Sequence, residues 1–315
     1  MSSNRAIFVI NEDVHVLDLA GPLQVFYEAE TYGIPYDIIY VSEKPEQRLS
    51  SKLHLHQLRP LNNVDITAED IVIIPGFEVK TFTKGNHAAF FRWLTHAHQQ
   101  GAILCSVCTG SFALAAAGLL DGGKCTTHWK YLDEFQSRYP KLLVEKDKVF
   151  VQHNNIFTSA GVTTGIDVAL YIIEQRHGAE FAFKLAREMV VYMRRNGDEV
   201  QQSIYLQHRQ HMSTSVHVLQ DWLSQNLHTK CNLDELAAII HSSPRNLTRL
   251  FKATTGITIG QYIEKLRVEK AMQLLQQNNK VATVATACGF TTAAQLRNII
   301  QKHAGALPSV FNKLS

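Results

Sequence analysis

The segment Ala102 to Leu120, AILCSVCTGSFALAAAGLL, constrains the fold more than any other stretch of the chain. Its four apolar residues Ala102 to Cys105 read as a buried strand, Ser106-Val107-Cys108-Thr109-Gly110-Ser111 breaks that strand, and an Ala/Leu-rich helical run follows at once. A strand, a tight turn and a helix in so few residues, with small side chains around Cys108, make a backbone that holds one thiol out at the carboxyl edge of a sheet. The thiol then lies near a helix N-terminus, whose partial positive charge is expected to lower its pKa. Cys108 is therefore either a reactive group or the floor of a pocket.

The residues around this elbow alternate between strand and helix patterns. Ala6 to Ile10, Asp37 to Val41 and Ile71 to Ile74 read as strands, while Leu17 to Ala29 and His87 to Gln100 carry helical spacing. Continuous Val/Ile runs between helices imply a parallel sheet covered on both faces, an α/β doubly wound fold. Beyond the elbow, Trp129 to Tyr139 reads as a helix, Val149 to Gln152 and Ile156 to Ser159 as a hairpin, and Gly161-Val162-Thr163-Thr164-Gly165 opens a helix that runs to about Glu174. Ligands of such sheets bind outside the carboxyl ends of the strands. Asp18, Gly76, Cys108, His128 and Gly161 each follow an apolar segment, so together with Thr109 they are expected to line one ligand-binding cleft. Cys108, His128 and Asp18 are the catalytic candidates if the cleft does chemistry, with imidazole as base and the carboxyl group orienting the thiol.

At 315 residues the chain is long for one domain, and its charge is unevenly spread. From Ser215 onward there are 11 Lys/Arg against 5 Asp/Glu, whereas the preceding residues hold 20 against 23. A basic third on a slightly acidic body suggests an anionic partner for that third alone, with nucleic acid the leading candidate. The five cysteines lack the spacing of a disulfide framework, although Cys105 and Cys108 form a C-x-x-C. The opening MSSNRAIFVINED enters a strand pattern directly and no apolar run approaches the about 20 residues of a membrane span, so a cytoplasmic protein without membrane contact is expected. His54-x-His56 and His96-x-His98 have no acidic or third ligand nearby in the sequence, and no metal site is expected from them.

The stretch from Arg194 to Asp198 breaks the preceding helix, and the polar, Gln/His-rich residues that follow read as a linker, giving domains of 1–195 and 215–315 with 196–214 between. The second domain is all α. Val216 to Leu227 is a helix with Val218, Leu219, Trp222 and Leu223 on its apolar side, and Leu233 to Ile240 has apolar residues at 233, 236, 237 and 240. Ser243 is a suitable N-cap and Pro244 a suitable first position for a helix that Gly256 ends. That helix shows Arg245, Asn246, Thr248, Arg249 and Lys252 on its polar face, which describes the reading helix of a helix-turn-helix. The pattern recurs about 47 residues on, after a long helix from Ile259 to Gln277: Val281 to Ala287, a turn at Cys288-Gly289-Phe290, then Thr292 to His303 exposing Thr292, Gln295, Arg297, Asn298, Gln301 and Lys302. Arg can read guanine and Asn or Gln adenine, while Lys and Thr serve phosphates.

RAIFVI, IIPGF, ILCSVCTGSFALAAAGLLDGGKCTTHW and FTSAGVTTGIDVALYIIE resemble the DJ-1/PfpI superfamily, related to class I glutamine amidotransferases and flavodoxin-like in fold. In that resemblance Cys108 matches the elbow thiol, His128 its nearby histidine and Asp18 its acidic neighbour. LDELAAIIHSSPRNLTRLFKATTGITIGQYIEKLRVEKAMQLL, VATVATACGF and the G-x-x-P-x-x-F from Gly305 resemble the AraC/XylS type of DNA-binding domain. Two departures fall in its second unit, Ile300 where the family usually has Phe and Asn312 where Arg is common, leaving the first unit the better supported DNA contact.

The two resemblances in one chain are the layout of the GlxA-like transcription regulators. They imply a sequence-specific regulator of promoter DNA, an activator that engages RNA polymerase, acting as a homodimer, with a small-molecule effector in the N-terminal cleft and no cofactor. Two other readings of Cys108 stay open: a thiol-dependent hydrolase, amidase or glyoxalase-like enzyme, and a redox-sensing regulator using Cys105 and Cys108.

Overall fold

The computed structural model describes residues 4–82, 87–146, 148–191, 195, 197, 201, 203–204, 208–209, 211–229, 231–277 and 279–304. The chain forms two compact units, Met1–Gln201 and Gln202–Ser315.

The first unit is built on a seven-stranded sheet. Its strands in chain order are β1 (Asn4–Val9), β2 (Tyr36–Ser42), β3 (Arg59–Pro60), β4 (Asp70–Ile74), β5 (Ile103–Val107), β6 (Phe150–His153) and β7 (Ile156–Ser159). They lie in the order β6-β7-β5-β4-β1-β2-β3. The β6/β7 pair is antiparallel and every other pair is parallel, with Phe8 opposite both Tyr40 and Ile73, and Cys105 opposite both Ile73 and Phe157. Central strands buried on both faces explain the unbroken apolar runs of the sequence: Ala6 to Phe8 and Ile71 to Ile74 are at most 1% exposed. Helices α1 (Val16–Thr31), α2 (Ala88–Gln99), α3 (Ser111–Ala116), α4 (Thr164–His177) and α5 (Ala179–Glu188) accompany the sheet. Helices α1 and α4 pack together. This is the doubly wound, mostly parallel architecture expected from the strand and helix alternation.

Several boundaries differ from those the sequence suggests. Strand β5 continues two residues past Cys105, because Ser106 and Val107 are also buried and continue the pairing with β7. Cys105 therefore sits in mid-strand with its side chain in the core. Trp129–Tyr131 is a 3₁₀ turn and the α-helix behind it covers only Leu132–Arg138. The two His-x-His pairs also fare differently. His96 and His98 lie on α2, where two positions turn a side chain by about 200° to the opposite side. His54 and His56 lie on a short surface strand paired with Glu46–Arg48, which puts the carboxylate of Glu46 beside both rings, so an acidic neighbour that the sequence hides is present.

The second unit contains α6 (Thr214–Gln225), α7 (Leu233–Ile239), α8 (Pro244–Thr255), α9 (Ile259–Gln276), α10 (Val281–Ala287) and α11 (Ala293–Ala304). Two apolar clusters hold it together. Val216, Leu219, Leu236, Leu247, Phe251, Tyr262 and Leu266 form the first; Ala271, Leu275, Val284, Cys288, Phe290, Leu296 and Ile300 form the second. Helix α9 supplies Tyr262 and Leu266 to one and Ala271 and Leu275 to the other, so it is the strut on which both are assembled. Val218 and Leu233, expected on apolar faces, are 46% and 44% exposed. The residue that takes up the buried position on α6 is Val216 instead.

The described residues of 196–214 are held to one unit or the other. Gly197 O accepts from Val149 N at 3.1 Å. Further on, Glu269 accepts from Ile204 N at 2.7 Å, and His208 Nδ1 pairs with Thr255 O at 2.7 Å. The G-x-x-P-x-x-F segment from Gly305, with Asn312, lies outside the described residues. Among the described residues no helix is long and apolar enough to cross a membrane.

Candidate functional site

Strand β5 delivers the chain to Cys108, whose φ of 57° lies in the left-handed region. That conformation costs a residue with a side chain about 1–2 kcal/mol, so neighbouring contacts must hold it. Thr127 Oγ1 and Ser111 Oγ donate to the Cys108 carbonyl at 3.0 and 3.1 Å. The Thr109 hydroxyl accepts from Phe77 N at 2.9 Å and donates to Phe77 O at 2.7 Å. Thr109 is 0% exposed, and its side chain pins the elbow to the loop after β4.

Two glycines let the surrounding loops close on the thiol. A Cβ on Gly76 would lie 2.8 Å from Cys108 Cβ and would run into Asp18 Oδ2. Gly161 has φ +99°, and a Cβ there would come within 2.7 Å of Cys108 Cα and 2.8 Å of its Sγ. Asp18, Gly76, Cys108 and Gly161 are thus drawn together from four separate segments. His128 is half-buried; among the described residues its hydrogen bond is from Lys130 N to Nδ1 at 3.3 Å, and its ring lies beside Trp129 and Tyr131.

The electrostatics of the pocket run against the expected reactive thiolate. Asp18 is 1% exposed, and its carboxylate accepts from Val162 N at 2.6 Å and from His15 Nδ1 at 3.2 Å. Burial, and then the Asp18 charge, push the Cys108 thiol well above the ordinary cysteine range. The helix it precedes, α3, is only six residues long, and the pull of its N-terminus is outweighed. Burial also raises Cys105, to about 12. Both members of the C-x-x-C are therefore protonated at neutral pH, which withholds the thiolate that exchange chemistry needs. The hydrogen bond to Asp18 raises the His15 pKa, whereas burial lowers that of His128. The result is a neutral thiol beside a buried carboxylate, with the half-buried His15 and the exposed Val162 next to that carboxylate.

The second candidate surface is on α8 and α11. Ser243 caps α8, accepting from Asn246 N at 3.3 Å, with Pro244 at its first position and Gly256 ending it in a left-handed conformation. Leu247 and Phe251 bury one side, which leaves Arg245, Asn246, Thr248, Arg249 and Lys252 exposed on the other. Arg249 Nη2 donates to Asn246 Oδ1 at 3.1 Å and Asn246 Nδ2 to Ser242 Oγ at 2.9 Å, a chain that orients both side chains at the helix start. On α11, Leu296 and Ile300 are buried while Gln295, Arg297, Asn298, Gln301 and Lys302 are exposed, with Thr292 exposed just before the helix. Lys302 is not wholly free for phosphate, since Glu264 on α9 takes it at 3.3 Å together with His303 at 2.7 Å. Ile300 is 0% exposed and belongs to the apolar core beneath the exposed side chains of α11.

The sequence matches the DJ-1/PfpI family over residues 4–175 and a helix-turn-helix domain over residues 236–313. The chain belongs to the DJ-1/PfpI family. Its C-terminal part places it with the members that carry an AraC-type helix-turn-helix domain. It is 33% identical over 242 residues to the HTH-type transcriptional regulator GbdR of Pseudomonas aeruginosa, covering 76% of this chain and 64% of that protein. It is 32% identical over 257 residues to the HTH-type transcriptional regulator CdhR of the same species, covering 80% of this chain and 73% of CdhR. The chain is also 33% identical over 179 residues to an isonitrile hydratase of Pseudomonas putida, covering 56% of this chain and 73% of the enzyme.

The structure brings together the thiol, glycines and acid expected at this DJ-1/PfpI elbow, and adds His15, Thr127 and Ser111, which no sequence expectation named as contacts. His15 carried a usable signal: it stands three residues before Asp18 at the mouth of α1, where it can reach the carboxylate. Thr127 had none, because its contact with the Cys108 carbonyl spans 19 residues of chain.

Proposed function

We propose that this chain is a sequence-specific DNA-binding transcription regulator whose first unit senses a small polar metabolite. One observation carries the reading: a single chain combines a thiol elbow, its neutral thiol set against a buried carboxylate, with two helix-turn-helix units whose polar, basic faces are exposed. In this reading Arg245, Arg249 and Arg297 take guanine edges or phosphates, Asn246, Asn298, Gln295 and Gln301 take adenine edges, and Thr248, Lys252, Thr292 and Lys302 take phosphates. Asp18, Gly76, Cys108, Thr109, His128 and Gly161 build the effector pocket, Thr109 by fixing the elbow. The regulator acts in the cytoplasm as a homodimer and, as an activator, engages RNA polymerase.

The effector signal leaves the pocket through Arg195 and Gln201. Arg195 donates its N–H and Nε to Asp167 at 3.0 and 2.9 Å and its Nη2 to Thr163 at 2.8 Å, next to the Val162 amide that holds Asp18. Gln201 Nε2 donates to Thr127 O at 2.9 Å and to Thr126 Oγ1 at 3.2 Å, and Thr127 holds the Cys108 carbonyl. Both walls of the pocket are thereby tied to the last residues of the first unit. A ligand that binds one wall arrangement better than another shifts the populations of that exit segment.

A footprinting titration with the full chain over promoter fragments tests the regulator reading, and absence of protection with or without effector refutes it. A thermal-shift screen of amino acids, betaines and related nitrogen metabolites identifies the effector. A ligand present at 100 times its Kd stabilises the unit by about 2.7 kcal/mol.

A second reading, thiol-dependent catalysis at Cys108, draws support from the likeness to an isonitrile hydratase and from the Asp18 carboxylate beside the thiol. The raised thiol pKa counts against it. A burst of covalent product that disappears in Cys108→Ser favours the enzyme; wild-type transcriptional response in Cys108→Ser favours a binding pocket.

A further inference from the structure

The hairpin of strands Glu46–Arg48 and His54–His56 stands apart from the elbow pocket and carries its own chemistry. Side chains two apart on a strand share a face, and residues directly opposite in an antiparallel pair share it too. Glu46 is opposite His56 and Arg48 opposite His54, so one face presents Glu46, His54 and His56, with Leu55 turned the other way toward the core. The imidazole rings are stacked, with centroids 6.2 Å apart and 24° between planes. Both aim Nδ1 at the same carboxylate, His54 at 2.7 Å from Oε1 and His56 at 3.3 Å from Oε2. One ligand atom from each of the three residues lies within 4.8 Å of the other two.

We propose that Glu46, His54 and His56 form a surface site for a divalent transition metal ion of the zinc class. Two imidazole nitrogens and one carboxylate oxygen are the donor set of an open zinc site, with a fourth position left to water or an added ligand. Bond lengths of about 2.0–2.2 Å in tetrahedral geometry place neighbouring donor atoms about 3.3 Å apart. The observed spread closes to that by rotamer adjustment of side chains that are 47–62% exposed, while the ladder fixes the backbone. Arg48 shares the face, but its guanidinium is drawn off to Asp13 at 2.8 Å, so its charge is balanced. The metal takes the Nδ1 lone pairs, which places each ring's proton on Nε2. Its reach extends past the hairpin. Arg48 O accepts from Asp13 N at 2.8 Å, and Ser50 N donates to Val14 O at 3.1 Å, so a metal clipping the two strands also stiffens the loop that presents His15.

The test is calorimetric titration of the untagged full-length chain with zinc chloride at pH 7.5, alongside His54→Ala, His56→Ala, Glu46→Gln and Cys108→Ser. The expected result is one equivalent bound at the hairpin, with affinity lowered by about tenfold or more in each hairpin variant, since even an outer-shell change costs that much. Cys108→Ser should keep the hairpin equivalent, which separates it from the His15, Asp18 and Cys108 atoms of the pocket. Cobalt substitution gives an independent readout, with visible d–d bands that vanish in His54→Ala. Equal zinc stoichiometry and affinity in wild type and the hairpin variants overturns the proposal, as does loss of the equivalent in Cys108→Ser alone. Wild-type circular dichroism in Glu46→Gln guards against a folding explanation.

Discussion

Replacing Gly161 by alanine should unlock the elbow, and the cost can be worked from the geometry. The new methyl would sit 2.7 Å from Cys108 Cα and 2.8 Å from its Sγ, closer than non-bonded carbon and sulfur can approach, on a backbone held at φ +99°. The left-handed conformation costs about 1–2 kcal/mol for any residue with a Cβ. Overpacking against a buried neighbour adds about 1–3 kcal/mol. Together they give about 3 kcal/mol, and at 2–4 °C per kcal/mol for a unit of this size the melting temperature falls by about 6–12 °C. Calorimetry on the full chain is the assay, with fluorescence assigning the transitions through Trp93 and Trp129 in the first unit and Trp222 in the second. Only the first unit's transition should move. Adding Cys108→Gly to Gly161→Ala should recover about 1–2 kcal/mol, because it removes the Cβ that clashes and relieves the left-handed strain at position 108. A shift under about 2 °C in Gly161→Ala, or an equal shift of both transitions, would refute the close approach of the two loops.

Three further outcomes follow from other contacts. Arg195→Ala leaves the Asp167 carboxylate, 4% exposed, without its guanidinium and should destabilise the first unit by about 1–3 kcal/mol in urea unfolding; a change below 0.5 kcal/mol would contradict a held exit segment. The His15 pKa is raised in the folded state, so its contribution is fully present below about pH 6.5 and is lost as pH rises through the raised value. The stability difference between wild type and His15→Gln should therefore shrink above that pH, and a difference constant from pH 5 to 8 would exclude the His15–Asp18 pair. Arg249→Ala should cost about 1–3 kcal/mol of operator affinity and relax preference at one base, whereas Lys252→Ala should weaken all sequences alike and lower the salt slope by about 1; identical behaviour of the two variants would undo the separation of base and phosphate roles.

The sheet was readable because its central strands are buried on both faces, so burial alone writes itself as runs such as AIFVI and IVII. The helix-turn-helix units were readable because caps are local: Ser243, Pro244 and Gly256 act within a turn of their own position. What stayed hidden depends on distance along the chain. The thiol pKa is set by burial and by Asp18, 90 residues away, and no local pattern reports either. Glu46 and the two hairpin histidines are 8 and 10 residues apart, and only the turn between the strands brings them face to face. The anchoring of Thr109 is hidden too, because its hydroxyl bonds the Phe77 backbone 32 residues away.

The energy scale of the exit contacts bears on the sensing proposal. A neutral hydrogen bond contributes about 0.5–1.5 kcal/mol and one to a charged group about 1.5–3 kcal/mol. Arg195 reaches Asp167 through charge-assisted bonds, and Gln201 reaches Thr126 and Thr127 through neutral ones. Coupling between effector and DNA sites is commonly about 1–3 kcal/mol. Loss of either anchor is therefore of the right size to transmit a signal. The anchors also divide the pocket, since Arg195 senses the loop that holds Asp18 while Gln201 senses the loop that holds the Cys108 carbonyl. A ligand that touched only one wall would shift only one anchor. An effector that touches both the Asp18 loop and the Cys108 elbow is the kind that moves both, because the thiol and the carboxylate already hydrogen-bond each other across that boundary.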